Sequence, residues 1–397
     1  MNSKELVKAA LYFNKPERVP VFYDVRGDVC PLLTQYSKDW KPGWEEGEEN
    51  LFPHVRVGYN WDKPLWVKKN PEYDGDKWKS IPHEEIDEWG CIWNLRGNDK
   101  NMGHPGRAPI NDWEEYDAFI KTYNPDPMDK SRYEFALELK KSFGKDRYRM
   151  VVIADFGPFQ RASTIRGFSK FLIDHRKNPE MVKRSLKRET EWHVQAMKAC
   201  YKYGLEPHGF WVVDDLGEQT GPFFSPKTFE QFYKDVYKTL CDEAHQLGAE
   251  VHLHCCGKVD LLLPSLIEWG LDAIEFDSPR MSGYLDLRKF RGKIMFWGCV
   301  NIQSIYTKGT SEEVEREVWH MIRNLGTKDG GFGAYFYPTP TDLNAPKKNI
   351  KAFQKGLKKY GDYSKIPDDW WQYPLPEEWD DFTVPELPPV PLLSNGN

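Results

Sequence analysis

Residues 252–257 read HLHCCG. This segment contains two histidines and two cysteines at a spacing that could support chemistry. Alternate residues of a β-strand point to the same face, so His252, His254 and Cys256 share one face and Cys255 lies on the other. Imidazole and thiolate groups two residues apart, followed by glycine, suit a zinc ion that keeps one or two coordination positions open. The same pattern is compatible with hydrogen-bonded interior histidines and with cysteines that fill the core.

Acidic residues lie at the end of a strand-like segment at residues 209–214. Asp214 and Asp215 are candidate catalytic residues that could act as a general acid, bind a cation or orient a ligand, although either could instead cap the following helix. Glu218, a few residues on, is the candidate third metal ligand. Its alternative role is a solvated loop carboxylate.

Further candidates are expected to contact a substrate. Tyr23 and Asp24 lie at the end of the first predicted strand and join the catalytic set. Trp211, Gln219 and Asn301 are candidate substrate-binding residues at or after later strands. In βα barrels the reactive groups cluster at the carboxyl ends of the strands, so these positions would converge. The 16 tryptophans could line an aromatic pocket, or simply pack the core.

Short apolar strands alternate with helices through most of the chain. Strands are predicted over residues 18–23, 148–154, 209–214, 251–255, 273–276, 293–298 and 331–337. Helices are predicted over residues 3–13, 169–203 with a break near 178–179, 225–247, 260–269, 311–324 and 349–360. This alternation indicates a (β/α)8 barrel. A doubly wound sheet is the alternative, but no GxGxxG turn follows any strand.

The predicted barrel domain spans residues 1–361 and carries one long irregular segment. Residues 26–147 are rich in Trp, Pro, Gly and Asp and lack a long apolar run, so we interpret them as an insertion after the first strand that forms a lid or pocket wall. Residues 362–397 form an extension rich in Pro and Trp, in which the prolines oppose regular helix or central strand.

Composition excludes several classes of protein. Lys and Arg number 55 against 61 Asp and Glu, a net charge of −6, which does not favour non-specific nucleic-acid binding. With 40% hydrophobic and 15% aromatic residues the chain is globular rather than disordered. Seven cysteines without a disulfide framework, and no signal-like or 18-residue apolar stretch, predict a cytoplasmic protein that does not span a membrane.

An ordered set of motifs resembles the uroporphyrinogen decarboxylase superfamily. The set consists of residues 15–21 (KPERVPV), 214–217 (DDLG) with 225–226 (SP), 254–257 (HCCG), 298–301 (GCVN), 309–314 (GTSEEV) and 349–353 (NIKAF). The resemblance covers roughly residues 1–20 and 150–360. It implies a (β/α)8 barrel with its site at the carboxyl-terminal mouth.

The resemblance also separates two functional branches. The porphyrin decarboxylases have an arginine-rich loop after the first strand and a Gly-His-Gly near the last strand, whereas residues 23–28 read YDVRGD and residues 338–341 read PTPT here. These differences disfavour a decarboxylase. In the cobalamin-dependent methyltransferase branch, members acting on coenzyme M hold zinc through a His-x-Cys pair and a further Cys near the last strand. His254 and Cys256 match the pair, but no thiol occupies the third position, near Thr339 or Pro340.

The resemblance therefore implies a corrinoid-dependent methyltransferase that binds zinc. A site completed by carboxylate or water is a harder Lewis acid than a sulfur-rich one, which suits O-demethylation of a methoxylated aromatic donor. The corrinoid would arrive on a separate partner protein, because the chain lacks the Asp-x-His-x-x-Gly pattern of cobalamin domains. Transfer from a methylcorrinoid to a thiol or folate, a decarboxylase, and a non-enzymatic binding subunit remain alternatives. The oligomeric state is open, with a homodimer as one option.

Overall fold

The computed structural model of the chain describes residues 1–23, 26–40, 51–53, 82–95, 103–154, 156–338, 343–366 and 371. The chain divides into two compact units. The first unit contains residues 1–33, 136–155 and 200–397, and the second contains residues 34–135 and 156–199. The second unit thus includes helical residues that lie beyond the predicted insertion.

Eight parallel strands form the sheet of the first unit and confirm the predicted (β/α)8 barrel. In chain order they are β1 (Val21–Phe22), β2 (Val29–Leu33), β3 (Tyr148–Val152), β4 (Gly209–Val213), β5 (Glu250–His254), β6 (Ala273–Phe276), β7 (Met295–Gly298) and β8 (Phe332–Tyr335). Neighbours pair from β2 through β8 in order, and β8 pairs with β1. The barrel is nearly closed, since among the described residues no ladder joins β1 to β2.

The insertion begins one strand later than the sequence predicts. β2 lies inside residues 26–147, yet it pairs with β3 along its whole length as a barrel strand. Its sequence, VCPLL, contains Pro31, which cannot donate to a sheet ladder and so weakens the strand signal. Farther along the insertion, a second small sheet contains Leu51–Pro53, His83–Ile86, Ile92–Leu95 and His104–Pro105.

The described α-helices have well-defined ends. They are Ser3–Leu11, Tyr116–Thr122, Glu134–Phe143, Pro158–Arg166, Phe168–Lys177, Pro179–Lys202, Pro226–Gln246, Leu263–Glu268, Pro279–Ser282, Tyr284–Leu287, Ile305–Lys308, Ser311–Leu325 and Lys347–Tyr360. Short 3-10 helices span Trp113–Glu115, Lys130–Tyr133, Arg288–Phe290 and Tyr363–Lys365. Ser225 caps the helix that begins at Pro226, and Thr310 and Glu313 form a capping box, so local sequence sets both helix starts.

Aromatic rings fill the interior of the barrel. The ring of Trp211 stacks on Tyr335 at 5.6 Å between centroids and meets the edge of Phe22 at 5.2 Å. Phe22 also contacts Trp297 at 6.0 Å. These four buried side chains come from strands β1, β4, β7 and β8, so they fix the shape of the barrel below its mouth.

Candidate active site at the barrel mouth

Strand register brings four polar side chains to the mouth of the barrel. His254, the last residue of β5, is in register with Val213 of β4 and with Glu275 of β6. Asp215 and Cys256 each lie two residues beyond the end of their strand, and Asp277 lies one residue beyond β6. The carboxyl ends of adjacent parallel strands meet at one edge, so these side chains come together.

The ligand atoms in this cluster have the spacing of a metal site. Nε2 of His254 lies 3.2 Å from Sγ of Cys256 and 3.9 Å from Oδ1 of Asp215. Sγ of Cys256 lies 3.5 Å from Oδ2 of Asp277. A tetrahedral zinc ion with bonds of about 2.0–2.3 Å places its ligand atoms about 3.3–3.8 Å apart, so the cluster requires only small adjustments to bind zinc.

Glu275 lies behind the cluster and fixes the orientation of His254. Its fully buried carboxylate accepts a hydrogen bond from Nδ1 of His254 through Oε2. A carboxylate on one imidazole nitrogen leaves the other nitrogen, here Nε2, as a ligand facing Cys256. The described residues contain two groups able to hold an ion: His254 with Asp215 and Cys256, and His254 with Glu275 and Asp277.

Two buried oxygen atoms of this cluster have no hydrogen-bond partner in the described part of the chain. They are Oε1 of Glu275 and Oδ1 of Asp277. A buried carboxylate oxygen without a donor is costly, so these atoms are suited to face a cation or a donor group of a ligand. These two oxygen atoms therefore support a metal site independently of the distances between the ligand atoms.

Burial and neighbouring charges shift the pKa values of these groups. Burial raises the pKa of Glu275 to about 8, with His254 opposing the shift, and burial likewise raises the pKa of Asp277. Burial disfavours the charged form of His254, but Cys256 and Glu275 outweigh that effect and hold its pKa well above the usual range. Without a metal, these groups therefore tend to hold protons, and a metal cation would compete with those protons for the same atoms.

The aspartate pair divides between two environments. Asp215 reaches the cluster, where its Oδ1 accepts a hydrogen bond from the backbone N–H of Cys256 at 2.7 Å. Asp214 is fully buried on the helix side, where its Oδ2 accepts a hydrogen bond from Tyr237 at 2.8 Å. Burial, followed by the charge of Asp214, raises the pKa of Tyr237 well above its usual value, so this phenol stays protonated and donates.

Glu218 and Gln219 are not brought into the cluster. Both side chains are exposed, and Oε1 of Glu218 accepts a hydrogen bond from the hydroxyl of Thr220 at 2.6 Å. A tight loop, closed by the bridge between Gly217 and Pro222, carries these residues. Within the described residues, Asp215 and Asp277 take the position at which Glu218 was expected.

His252 is an interior histidine with both ring nitrogens hydrogen-bonded. Nε1 of Trp297 donates to its Nδ1 at 3.0 Å, and its Nε2 lies 2.9 Å from Oη of Tyr148. Tyr148 in turn donates to Oε2 of Glu250 at 2.7 Å. Burial lowers the pKa of His252 to about 4, so the ring is neutral. For this residue the structure supports the alternative of a hydrogen-bonded core histidine.

The remaining predicted site residues have varied positions. The Trp211 ring lies 6.2 Å from that of His254, so it lines the interior next to the cluster. Tyr23 packs against Phe336 at 4.6 Å, while Asp24 lies outside the described residues.

Asn301 is buried, and its Oδ1 accepts hydrogen bonds from two backbone N–H groups and a hydroxyl, which gives it a role in shaping a loop. Residues 339–342, where the third zinc ligand was considered, also lie outside the described part.

Gly257 holds the loops that carry Cys256 and Asp215 in close contact. A Cβ atom at residue 257 would overlap the backbone carbonyl of Gly217. We expect Gly257→Ala to destabilise the protein by about 1–3 kcal/mol, because the backbone must move to make room, and to weaken metal binding. Urea denaturation and zinc content measure the two effects. Gly221→Ala is the matched control, since a Cβ there meets nothing within 4 Å, and an equal loss in both variants would contradict this explanation.

Residues 107–337 match the family profile of uroporphyrinogen decarboxylase (URO-D), which is more than half of the chain. The chain belongs to the URO-D family. Among solved structures it is similar to a methyltransferase from Methanosarcina mazei, with 17% identity over 91% of this chain and 99% of that chain and a TM-score of 0.55. At this identity the likeness supports the barrel fold. No curated protein sequence gives a significant match.

None of the helices in the described ranges has the length and apolar character needed to cross a membrane.

Proposed function

We propose that the protein is a corrinoid-dependent methyltransferase that transfers a methyl group from a methoxylated aromatic donor to cob(I)alamin on a separate protein. The observation that carries the proposal is the cluster of His254, Cys256, Asp215 and Asp277 at the barrel mouth, with Glu275 behind it. Membership in the URO-D family and the fold shared with a methyltransferase add support.

We assign zinc to this cluster, held by Nε2 of His254, Sγ of Cys256 and a carboxylate oxygen of Asp215 or Asp277. A site with one sulfur and at least one oxygen ligand is harder than a sulfur-rich site. When bound, zinc would act as a Lewis acid toward the ether oxygen of the donor. This ligand set replaces the one that includes Glu218.

The side chains of the protein prepare the site for this reaction. Glu275 accepts the Nδ1 proton of His254 and so presents the Nε2 lone pair to the metal. Asp215 holds the backbone of Cys256 and with it the position of the Cys256 sulfur atom. The leaving oxygen must take up a proton as the methyl group departs, and Asp215 and Asp277 are the carboxyl groups beside Cys256. The aromatic ring of Trp211, which stacks on Tyr335, lies next to His254 of the cluster.

The structure gives no support to a decarboxylase that uses Arg161 or Arg166 to bind substrate carboxylates. Arg161 forms a buried ion pair with Asp87 at 2.9 Å, and Arg166 forms one with Asp174 at 2.8 Å. These pairs lie within the second compact unit, where each cation already has its counter-charge.

The proposal is tested with the purified protein, a reduced corrinoid protein and a panel of methyl donors under anaerobic conditions. We expect cob(I)alamin absorbance to fall only with methoxylated aromatics and one phenol to form per cobalt methylated. Methylated amines and thioethers serve as competing donor classes, and the corresponding phenols as controls. If only amines or thioethers are demethylated, the methyl donor belongs to that class and is not a methoxylated aromatic. If no donor methylates the corrinoid but the protein still binds the corrinoid protein, it is a binding subunit.

A further inference from the structure

Zinc on Nε2 of His254 leaves the opposite side of the cluster, where Glu275 lies, without a cation. The two nitrogens of an imidazole ring point away from each other, and Glu275 accepts the Nδ1 proton of His254 through Oε2. A zinc ion bound to Nε2 therefore cannot also contact Glu275. The second carboxylate oxygen of Glu275 needs a different partner.

That oxygen and one oxygen of Asp277 form a pair of buried acceptors. Oε1 of Glu275 and Oδ1 of Asp277 accept no hydrogen bond from the described residues. The two side chains are 0% and 7% exposed, so water does not readily replace the missing donors. Residues two positions apart at the end of a strand share a face, and these two offer ligand atoms within 4.8 Å of each other. Paired carboxylate oxygens are the ligands that hard divalent cations prefer.

No lysine or arginine forms an ion pair with either carboxylate in the described part of the chain. The charges that act most strongly on Asp277 are those of His254 and Asp215, and Glu275 is in addition affected by Asp277. When deprotonated, Cys256, Asp277 and Glu275 carry three negative charges, of which one zinc ion balances two. One buried negative charge remains even without counting Asp215, and an unbalanced buried charge is costly.

We propose that a hard divalent cation of the Mg²⁺ class binds beside the zinc, held by Oε1 of Glu275 and Oδ1 of Asp277 and otherwise by water. This inference rests on the zinc site of the proposed function, but not on the identity of the methyl donor. Mg²⁺ is ordinarily bound through one or two carboxylates and keeps several waters. Solvent reaches the cluster from the mouth, since Cys256 is exposed. The second cation would keep Glu275 charged, which is the form that accepts the Nδ1 proton of His254.

Mn²⁺ is the probe for this site, because it binds to the same oxygen ligands as Mg²⁺ and competes weakly with zinc for a His–Cys site. The zinc-loaded full chain is titrated with Mn²⁺, and the free ion is followed by electron paramagnetic resonance. We expect about one Mn²⁺ bound per chain and displaced by Mg²⁺. Asp277→Asn keeps the shape of the side chain but removes its charge, and should weaken Mn²⁺ binding at least about tenfold.

Glu250→Gln is the matched control for Asp277→Asn. Glu250 is also buried, but it accepts a hydrogen bond from Tyr148 at the opposite end of β5, so this variant should keep the Mn²⁺ affinity of the wild type. Urea denaturation of each variant shows whether a loss of binding reflects unfolding. Equal Mn²⁺ affinities for the wild type and Asp277→Asn would overturn the proposal.

Zinc analysis of every sample separates this proposal from the zinc assignment. Zinc-loaded wild-type protein that binds no Mn²⁺ would refute the second cation and leave the zinc site intact. Binding of Mn²⁺ that requires Asp277, in a protein that takes up no zinc, would support the carboxylate site and refute the zinc assignment.

Replacing zinc with paramagnetic Co²⁺ tests whether the two ions are neighbours. Sγ of Cys256 lies 3.5 Å from Oδ2 of Asp277, so ions bound to these two residues lie within a few ångströms of each other. We expect Co²⁺ to broaden the resonance of the bound Mn²⁺ strongly, relative to the zinc-loaded protein. An unbroadened resonance would place the Mn²⁺ elsewhere and overturn the proposal.

Discussion

Cys256→Ala is expected to remove zinc from the protein and to slow methyl transfer at least about a thousand-fold. Cys256 joins the cluster, since its Sγ lies 3.2 Å from Nε2 of His254 and 3.5 Å from Oδ2 of Asp277. A Lewis acid contributes several kcal/mol, and each 1.4 kcal/mol is about tenfold in rate, which sets the size of the effect. Metal analysis after dialysis should give about one zinc per wild-type chain and almost none in the variant.

Cys255→Ala is the matched control for this prediction. The Cys255 thiol is buried on the other side of the chain, where Sγ accepts a hydrogen bond from the N–H of Leu216 at 3.3 Å. This variant should keep its zinc and lose only stability, by about 1 kcal/mol. Zinc loss confined to Cys255→Ala would mean that the opposite face of the chain binds the metal. If the wild-type protein also contains no zinc, the Lewis-acid mechanism is wrong.

Much of this arrangement follows from the sequence, because two short-range rules determine it. Alternation of short strands and helices predicts the barrel, and the two-residue period of a strand predicts that His254 and Cys256 share a face. The cysteines illustrate the second rule: Cys256 is exposed at the mouth, whereas Cys255 is buried. The predicted break near residues 178–179 also matches the boundary between Phe168–Lys177 and Pro179–Lys202.

Positions beyond the strand ends are less predictable, because loop geometry and not strand period decides where a side chain lies. Asp214 and Asp215 are adjacent and chemically equivalent, yet only Asp215 lies at the cluster, while Asp214 is bonded to Tyr237. Glu218 is carried outward by its tight loop. Glu275 was missed because it lies within a strand, although a single acid in the otherwise apolar segment AIEF was an available signal.

Glu275 positions His254 from the neighbouring strand β6, so substitution of Glu275 is expected to change the zinc affinity strongly. Glu275→Leu removes the acceptor for the Nδ1 proton and is expected to weaken zinc binding about 100-fold. Glu275→Gln can still accept that proton through its amide oxygen but lacks the charge, so we expect a loss of only about tenfold. Zinc dissociation constants measured against a competing chelator give the two values.

A general loss of stability would not produce this graded response. Glu250→Gln is the control, since Glu250 is also buried and accepts a hydrogen bond from Tyr148, but at the opposite end of β5. It should lower the free energy of unfolding without changing zinc affinity. Excess zinc should restore much of the methyl transfer of Glu275→Gln, because its ligand atoms remain in place. Equal zinc affinities for the Gln and Leu variants would show that Glu275 does not act through the Nδ1 hydrogen bond of His254.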